Sequence, residues 1–222
     1  MPGVSWSDLA AWWRSELEND HAYETVVTPL LLDVLEPVPE YLYLDIGCGE
    51  GRVKRAVEAF GARAQGIDVS LELIAHLSGV VMGDAVALPF RSDIYDGTYC
   101  VLTLEHIEDH GRFFAEAARV TKLGGALAVV INHPVWTAPD STPITDTCGE
   151  VLWRPGEYFS SGTSEIPARE GTVTFYHRSM ADLLNAAYEA GWHLERMVEQ
   201  PHHEYVDQAG IPRLLACRWR LV

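Results

Sequence analysis

A doubly wound α/β domain on a mostly parallel sheet is the fold class this sequence predicts, and three observations predict it. Short apolar runs alternate with helical patterns from residue 41 onward. Two of those runs, 99–104 and 126–131, carry no polar alternation, as expected of strands covered by helices on both faces. The first run ends in Asp45-Ile46-Gly47-Cys48-Gly49-Glu50-Gly51, a glycine-rich turn that passes straight into a helical pattern and lets backbone approach a ligand closely.

The elements follow in order. Ser5 and Asp8 form a capping-box pattern ahead of Leu9-Ala10-Ala11-Trp12-Trp13, a second helical pattern covers about 23–35, and Pro37 and Pro39 close a helical preamble, 1–40. Strand 41–46, helix 52–60, strand 63–68, helix 70–77, short strand 80–83, strand 95–101, helix 109–121 and strand 125–131 then alternate. Residues 133–171 break into Pro, Ser, Thr, Gly and Asp with stranded aromatics, among them Trp136, Trp153, Tyr158 and Phe159. Loops this long in compact domains serve as covers or binding segments, so a lid over the substrate is expected here, with Trp136, Trp153 and Tyr158 as substrate contacts. Order returns at 172–176, in a helix from Ser179 (capped with Asp182) to Ala190, and in strands 192–199 and 213–221, expected to be antiparallel at one edge. Residues 41–222 thus form one domain with an insertion.

Composition narrows the class of function. Hydrophobic residues make up 48% of the 222 and charged residues 22%, enough apolar material to bury a central sheet. Thirty-two acids against 16 Lys plus Arg give a formal net charge of -16, which repels a polyphosphate backbone and argues against a nucleic-acid partner. Cys48, Cys100, Cys148 and Cys217 lie far apart without CxxC pairing and read as reduced, buried thiols. No basic start followed by an apolar stretch opens the chain, and no run nears the roughly 18–20 apolar residues that span a bilayer. A cytoplasmic protein without membrane association is expected.

The glycine spacing discriminates between ligands. A dinucleotide fingerprint reads GxGxxG, yet Arg52 holds the third glycine's place, and the motif opens on Asp45, a carboxylate that is awkward beside a pyrophosphate and suited to an amino group. At this point the chain resembles the class I S-adenosylmethionine-dependent methyltransferases, of the small-molecule, methyltransferase type 11-like branch. Three further segments carry the resemblance: Gly66-Ile67-Asp68-Val69-Ser70, with its acid 23 positions after Asp45; Gly83-Asp84-Ala85 through Phe90; and Leu104-Glu105-His106-Ile107-Glu108-Asp109 followed by the run from Glu116 to Gly125. Leu123 departs from the family, which usually has Pro before the two glycines.

That resemblance implies a Rossmann-like, seven-stranded, mostly parallel sheet with an antiparallel C-terminal edge strand. It implies S-adenosylmethionine as cofactor, S-adenosylhomocysteine as product and a small organic methyl acceptor. Asp45 would contact the methionine amine; Gly47, Cys48, Gly49 and Gly51 would line the cofactor; Asp68 and Val69 would hold the ribose, Asp84 and Ala85 the adenine; Val101 and Leu102 would present backbone beneath it. Phe175-Tyr176-His177-Arg178-Ser179-Met180 looks like the tail of many such proteins, less specifically.

Each signal has a plainer reading. Asp68 and Asp84 can serve as caps or turn residues. His106 and His110 stand four apart beside Glu105 and Asp109, a spacing compatible with a metal on a helix, but no further ligand is placed by the sequence, so a solvated helix start is favoured and no metal is expected. His106, beyond the fourth strand, and His177 are candidate general bases, needed only if the acceptor arrives protonated. Trp12, Trp13, Trp192 and Trp219 read as core, and His202 and His203 as loop residues. Two rivals stay open: a catalytically silent S-adenosylmethionine-binding sensor or regulatory subunit, and an NAD(P)-dependent oxidoreductase.

Overall fold

A computed structural model describes residues 5–19, 21–168, 171–201 and 210–222; His202 and His203 lie outside them. A seven-stranded sheet forms the centre, with strands β1 (Leu42–Ile46), β2 (Arg63–Asp68), β3 (Val80–Met82), β4 (Tyr95–Val101), β5 (Thr121–Asn132), β10 (Trp192–Pro201) and β11 (Pro212–Leu221). Their order is β10-β11-β5-β4-β1-β2-β3. Strands β1 to β5 are mutually parallel, β11 runs antiparallel to β5, and β10 pairs antiparallel with β11 at the margin, so the two C-terminal strands form one edge together. The chain leaves β1 towards one side and returns through β4 on the other. The crevice between their carboxyl ends is therefore the topological switch point.

Two apolar layers cover the sheet. On one face Leu44, Ile46, Leu127 and Val129 pack with Phe113, Phe114 and Ala117 of α5 (His110–Val120) and Leu183 and Ala187 of α7 (Met180–Glu189). On the other, Tyr43, Tyr99, Val101 and Val130 pack with Val53 and Val57 of α3 (Arg52–Glu58) and Leu30, Leu31, Val34 and Leu35 of α2 (Thr28–Leu35). Strand alternation does the sorting: in β1, Leu44 and Ile46 face the first layer, Tyr43 the second. Trp192 and Trp219 are core as expected, and the Trp192 indole donates to the Phe114 carbonyl at 3.0 Å.

Local chemistry explains the boundaries. Ser5 and Asp8 cap α1 (Trp6–Asn19) reciprocally, and Ser179 and Asp182 do the same for α7. The second helical pattern is not uniform: Tyr23–Val27 is a π-helical turn that leads into α2. At the turn lacking proline, Leu123 is exposed, and neighbours supply the restraint: Lys122 Nζ donates to Asp96 at 2.6 Å and Arg220 to the Gly124 carbonyl at 2.8 Å. Cys48, Cys100 and Cys217 are buried thiols, whereas Cys148 is exposed beside the turn between β6 (Thr142–Thr145) and β7 (Val151–Arg154), correcting the expectation for that cysteine. No helix among the described residues is long and apolar enough to cross a membrane.

The segment 133–171 is more ordered than a loop. Helix α6 (Pro134–Thr137) opens it, β6 and β7 form one hairpin, and β8 (Thr163–Ala168) pairs antiparallel with β9 (Gly171–Tyr176). Sequence pattern anticipated the ordered stretch of β9 at 172–176 but missed β6, β7 and β8, whose residues are mostly exposed.

Glu116 fastens the segment after β3 to α5: it accepts from Leu88 N at 2.8 Å and from Arg119, whose guanidinium also donates to the Leu88 and Phe90 carbonyls. Arg119 holds the Glu116 carboxyl below its ordinary range. Replacing Glu116 with Ala strands the buried Leu88 N–H and is expected to cost about 2–3 kcal/mol in urea unfolding. Because the folded-state pKa is depressed, the difference from wild type should be full at neutral pH and shrink as pH falls through that pKa.

Candidate active site

A cavity of about 420 Å³ opens at the switch point, walled by the ends of β1, β2 and β4 and the segments that follow them. At its base, the strand-alternation rule that sends Tyr43 to the second layer sends Asp45 there too, opposite Tyr99 of β4. Asp45 is 1% exposed, and its Oδ2 has no hydrogen-bond partner among the described residues. Burial pushes its carboxyl well above the usual range; the Tyr99 hydroxyl works against this, and Asp68 and Glu50 add to it. A buried, unsatisfied carboxylate at a cavity wall is costly unless a cation arrives.

The glycine turn closes over it. Gly47 has φ +78°, and a Cβ there would lie 2.3 Å from the Thr103 side chain, so only glycine fits between β1 and the segment after β4. Gly51, at φ +76°, starts α3. The turn spends its N–H groups internally: Gly47 N and Cys48 N donate to the Ile67 carbonyl, Gly51 N to the Cys48 carbonyl, and Gly49 N to Asp68 Oδ2 at 2.8 Å. Those donors are unavailable to a pyrophosphate, which disfavours the dinucleotide rival on geometry as well as motif.

Asp68 ends β2 with each carboxylate oxygen accepting one backbone N–H, Gly49 on Oδ2 and Ser70 on Oδ1 at 2.9 Å. A carboxylate has about four acceptor sites, so each oxygen retains capacity for a hydroxyl donor. Burial raises its pKa against the pull of those two N–H groups. Asp84 is exposed at the far wall, where its Oδ1 accepts from Val86 N at 3.0 Å in an Asx turn; Val69 and Ala85 give that end of the cavity apolar surface. Val101 and Leu102 form the floor, with Leu102 in the left-handed region at φ +49° and the Thr103 hydroxyl donating to the Val101 carbonyl at 3.1 Å. Every cofactor residue expected from sequence, apart from Gly51, lines this one cavity; Gly51 closes the turn behind it.

His106 stands at the other end, in the 3-10 turn Leu104–His106, between the rings of Trp6 (centroids 4.9 Å apart) and Phe175 (4.5 Å). Its Nδ1 lies 2.9 Å from the Thr174 carbonyl. A carbonyl only accepts, so Nδ1 donates, and in the neutral ring Nε2 is the proton acceptor.

Several expectations are corrected. His177 does not line this cavity: it is buried, Nε2 donates to the Tyr158 carbonyl at 2.8 Å, and Nδ1 takes the Thr137 hydroxyl at 3.1 Å, which leaves no lone pair for a substrate. Burial lowers its pKa. Trp136 and Trp153 pack on each other with centroids 4.2 Å apart, and the Tyr158 hydroxyl accepts from Met180 N, so these three substrate candidates knit the 133–171 segment to the fold and stay outside the cavity. The roof is α1 instead: Trp6 and Trp13, the latter read from sequence as core, line the cavity, as does Tyr23 of the π-helical turn. Sequence reasoning missed this because a Trp-rich amphipathic helix looks the same whether its apolar face meets a core or a cavity.

Comparison with known proteins bears on the fold that carries this site. Residues 44–129 match the family model described as a methyltransferase domain. Among solved structures, an S-adenosylmethionine dependent methyltransferase from Mesorhizobium loti superposes with a TM-score of 0.77 at 24% identity, covering 92% of this chain and 99% of that one. Over residues 44–129 the chain is thus similar to the methyltransferase-domain family, and its fold is similar to that of a solved S-adenosylmethionine dependent methyltransferase.

Curated relatives include a ubiquinone biosynthesis O-methyltransferase from Hahella chejuensis, 31% identical over 54% of this chain and 56% of that protein. A demethylmenaquinone methyltransferase from Renibacterium salmoninarum is 29% identical over 73% of this chain and 71% of that protein. The chain therefore spans little more than half the length of the first of these relatives.

The unsatisfied carboxylate makes a stability prediction. Asp45→Asn is expected to stabilise the ligand-free protein by about 1–3 kcal/mol at about pH 8. The folded-state pKa of Asp45 is raised, so in wild type its proton-linked stability is present at low pH and lost as pH rises through that pKa. Thermal unfolding of the two proteins should therefore converge on acidification, and a gap that widens instead contradicts the assignment.

Proposed function

We propose that the protein transfers a methyl group from S-adenosylmethionine to a small organic acceptor. The observation that carries this reading is the unpartnered Asp45 oxygen beneath the glycine turn, the feature an α-amino cation would satisfy. Asp45 takes the amine, Asp68 the ribose hydroxyls through its remaining acceptor sites, Asp84 the adenine amino group, with Ala85 and Val69 against the rings. Gly47, Cys48 and Gly49 supply the cradle, and the backbone of Val101 and Leu102 the floor. When bound, the cofactor supplies a methyl group already activated by its sulfonium.

The protein's own contribution is then to orient, dry and deprotonate. Trp6 and Trp13 of α1 exclude water above the reacting atoms. The neutral His106 ring accepts a proton at Nε2 from an acceptor hydroxyl or ammonium while Nδ1 stays bonded to the Thr174 carbonyl. Acceptor charge is restricted as well. The lining carries the carboxylates Asp45, Glu50, Asp68, Asp84, Glu108 and Asp109, and its guanidinium, Arg52, is already engaged with Glu50 at 2.9 Å and lies over the Tyr23 ring. An acceptor that is neutral or cationic near its reacting atom suits this field, and one carrying a carboxylate or phosphate there does not. The curated relatives named for quinone biosynthesis support a small organic acceptor.

Screening an acceptor library for S-adenosylhomocysteine release tests the reading. Release is expected with uncharged phenols or amines and not with their carboxylated analogues. With such an acceptor, His106→Ala should lower kcat by about 10²–10⁴-fold and leave S-adenosylhomocysteine affinity unchanged. Binding of NAD in preference to S-adenosylhomocysteine would sink the proposal, and cofactor binding with no release from any acceptor would favour the silent sensor.

A further inference from the structure

Arg178 follows β9 and is 7% exposed, yet no carboxylate among the described residues hydrogen-bonds it. Burying a guanidinium without an ion pair is costly, and burial lowers its pKa to about 10 even with Glu105 nearby. What it receives in return is four carbonyls. One nitrogen donates to Leu104 O at 3.1 Å and Tyr176 O at 3.2 Å, the other to Ile107 O and to Glu108 O at 2.7 Å. Three of those acceptors belong to the turn that carries His106, whose carbonyls have little helical pairing of their own. The fourth is in the strand that supplies the Thr174 carbonyl to the His106 ring. The planar fork of arginine spans the two segments at once, which a single ammonium cannot do.

We propose that Arg178 is a positioning residue: by clasping the 104–108 turn to the end of β9 it holds the His106 ring against the Thr174 carbonyl, fixing the Nδ1–H tautomer and leaving Nε2 towards the acceptor. This rests on the function proposed above for His106, but its structural content is separable from that function. Arg178 touches no reacting atom and does not line the cavity at the switch point, whereas His106 and its neighbours Ile107, Glu108 and Asp109 do; it borders a separate, more open pocket beside His177. The side chain acts through them.

Two-bond nitrogen–proton spectra of the full-length protein, with His106 assigned by its loss in His106→Gln, report the tautomer directly. Wild type should show the Nδ1–H form. Arg178→Lys, checked for folding by circular dichroism, should show mixed tautomers with S-adenosylhomocysteine affinity unchanged, and with a working acceptor its kcat should fall on the order of 10²-fold. A folded Arg178→Lys that keeps the pure Nδ1–H form overturns the proposal, as does a wild type that lacks it. Loss of the fold in both Arg178→Lys and Arg178→Gln also overturns it, by making the residue a requirement of folding alone. Should wild type fail to bind S-adenosylhomocysteine, the methyltransferase reading falls while the tautomer result still stands or falls by itself.

Discussion

Strand β1 delivers a carboxylate to a place where the fold gives it too few partners. Alternation along five residues puts Asp45 on the same side as Tyr43, beneath a glycine turn, and leaves one carboxylate oxygen buried without a well-formed hydrogen bond, the Tyr99 hydroxyl being the polar group that offsets its burial. A chain optimised for stability alone would put an apolar residue here, since removing both partners of a buried polar contact is close to neutral while stranding one is costly. The strain is tolerable because the surrounding core is large and two-layered, and it has a use if a cation completes the site. The cavity shape, the close approach at Gly47 and the left-handed Leu102 are arranged around that carboxylate.

The rest of the site grows from the ends of neighbouring strands. Parallel order brings Asp45, Asp68 and Leu102 to one rim because β1, β2 and β4 point the same way and the crossover direction reverses between β1 and β4. Two clasps made by charged side chains hold segments at that rim. Glu116 with Arg119 ties down the stretch after β3, and Arg178 ties the His106 turn to β9. Each spends a charged side chain on backbone groups, which fixes position more than it adds stability.

Much of this was legible in the sequence, and the limits are instructive. The parallel sheet and the order of elements along the chain follow from strand periodicity, and the glycine turn from backbone angles few other residues adopt, whereas the Asp45, Asp68 and Asp84 series is what the family resemblance implies. Cys148, the His177 role and the 133–171 cover were misread for one reason: composition reports what a segment contains and not what it faces. A histidine with both nitrogens bonded to Tyr158 and Thr137 has the same letters as a base in a cleft. Trp13 packs against the second core layer as expected and also borders the cavity; a stripe of aromatics on a helix does not say whether the space below all of it is filled. Arg178 lies inside the tail segment Phe175–Met180, but three of its four carbonyl partners are 70 or more positions away, a contact that no local pattern encodes.

The central claim is that Asp45, whose carboxyl pKa burial raises well above its ordinary range, is the partner of an amino cation. Calorimetry of S-adenosylhomocysteine binding at about pH 6, repeated in buffers of different ionisation enthalpy, measures the protons released as an amine beside Asp45 brings its raised pKa down. The account predicts net proton release in wild type that disappears in Asp45→Asn. Binding heat that is the same in every buffer, or no binding at all, would contradict it.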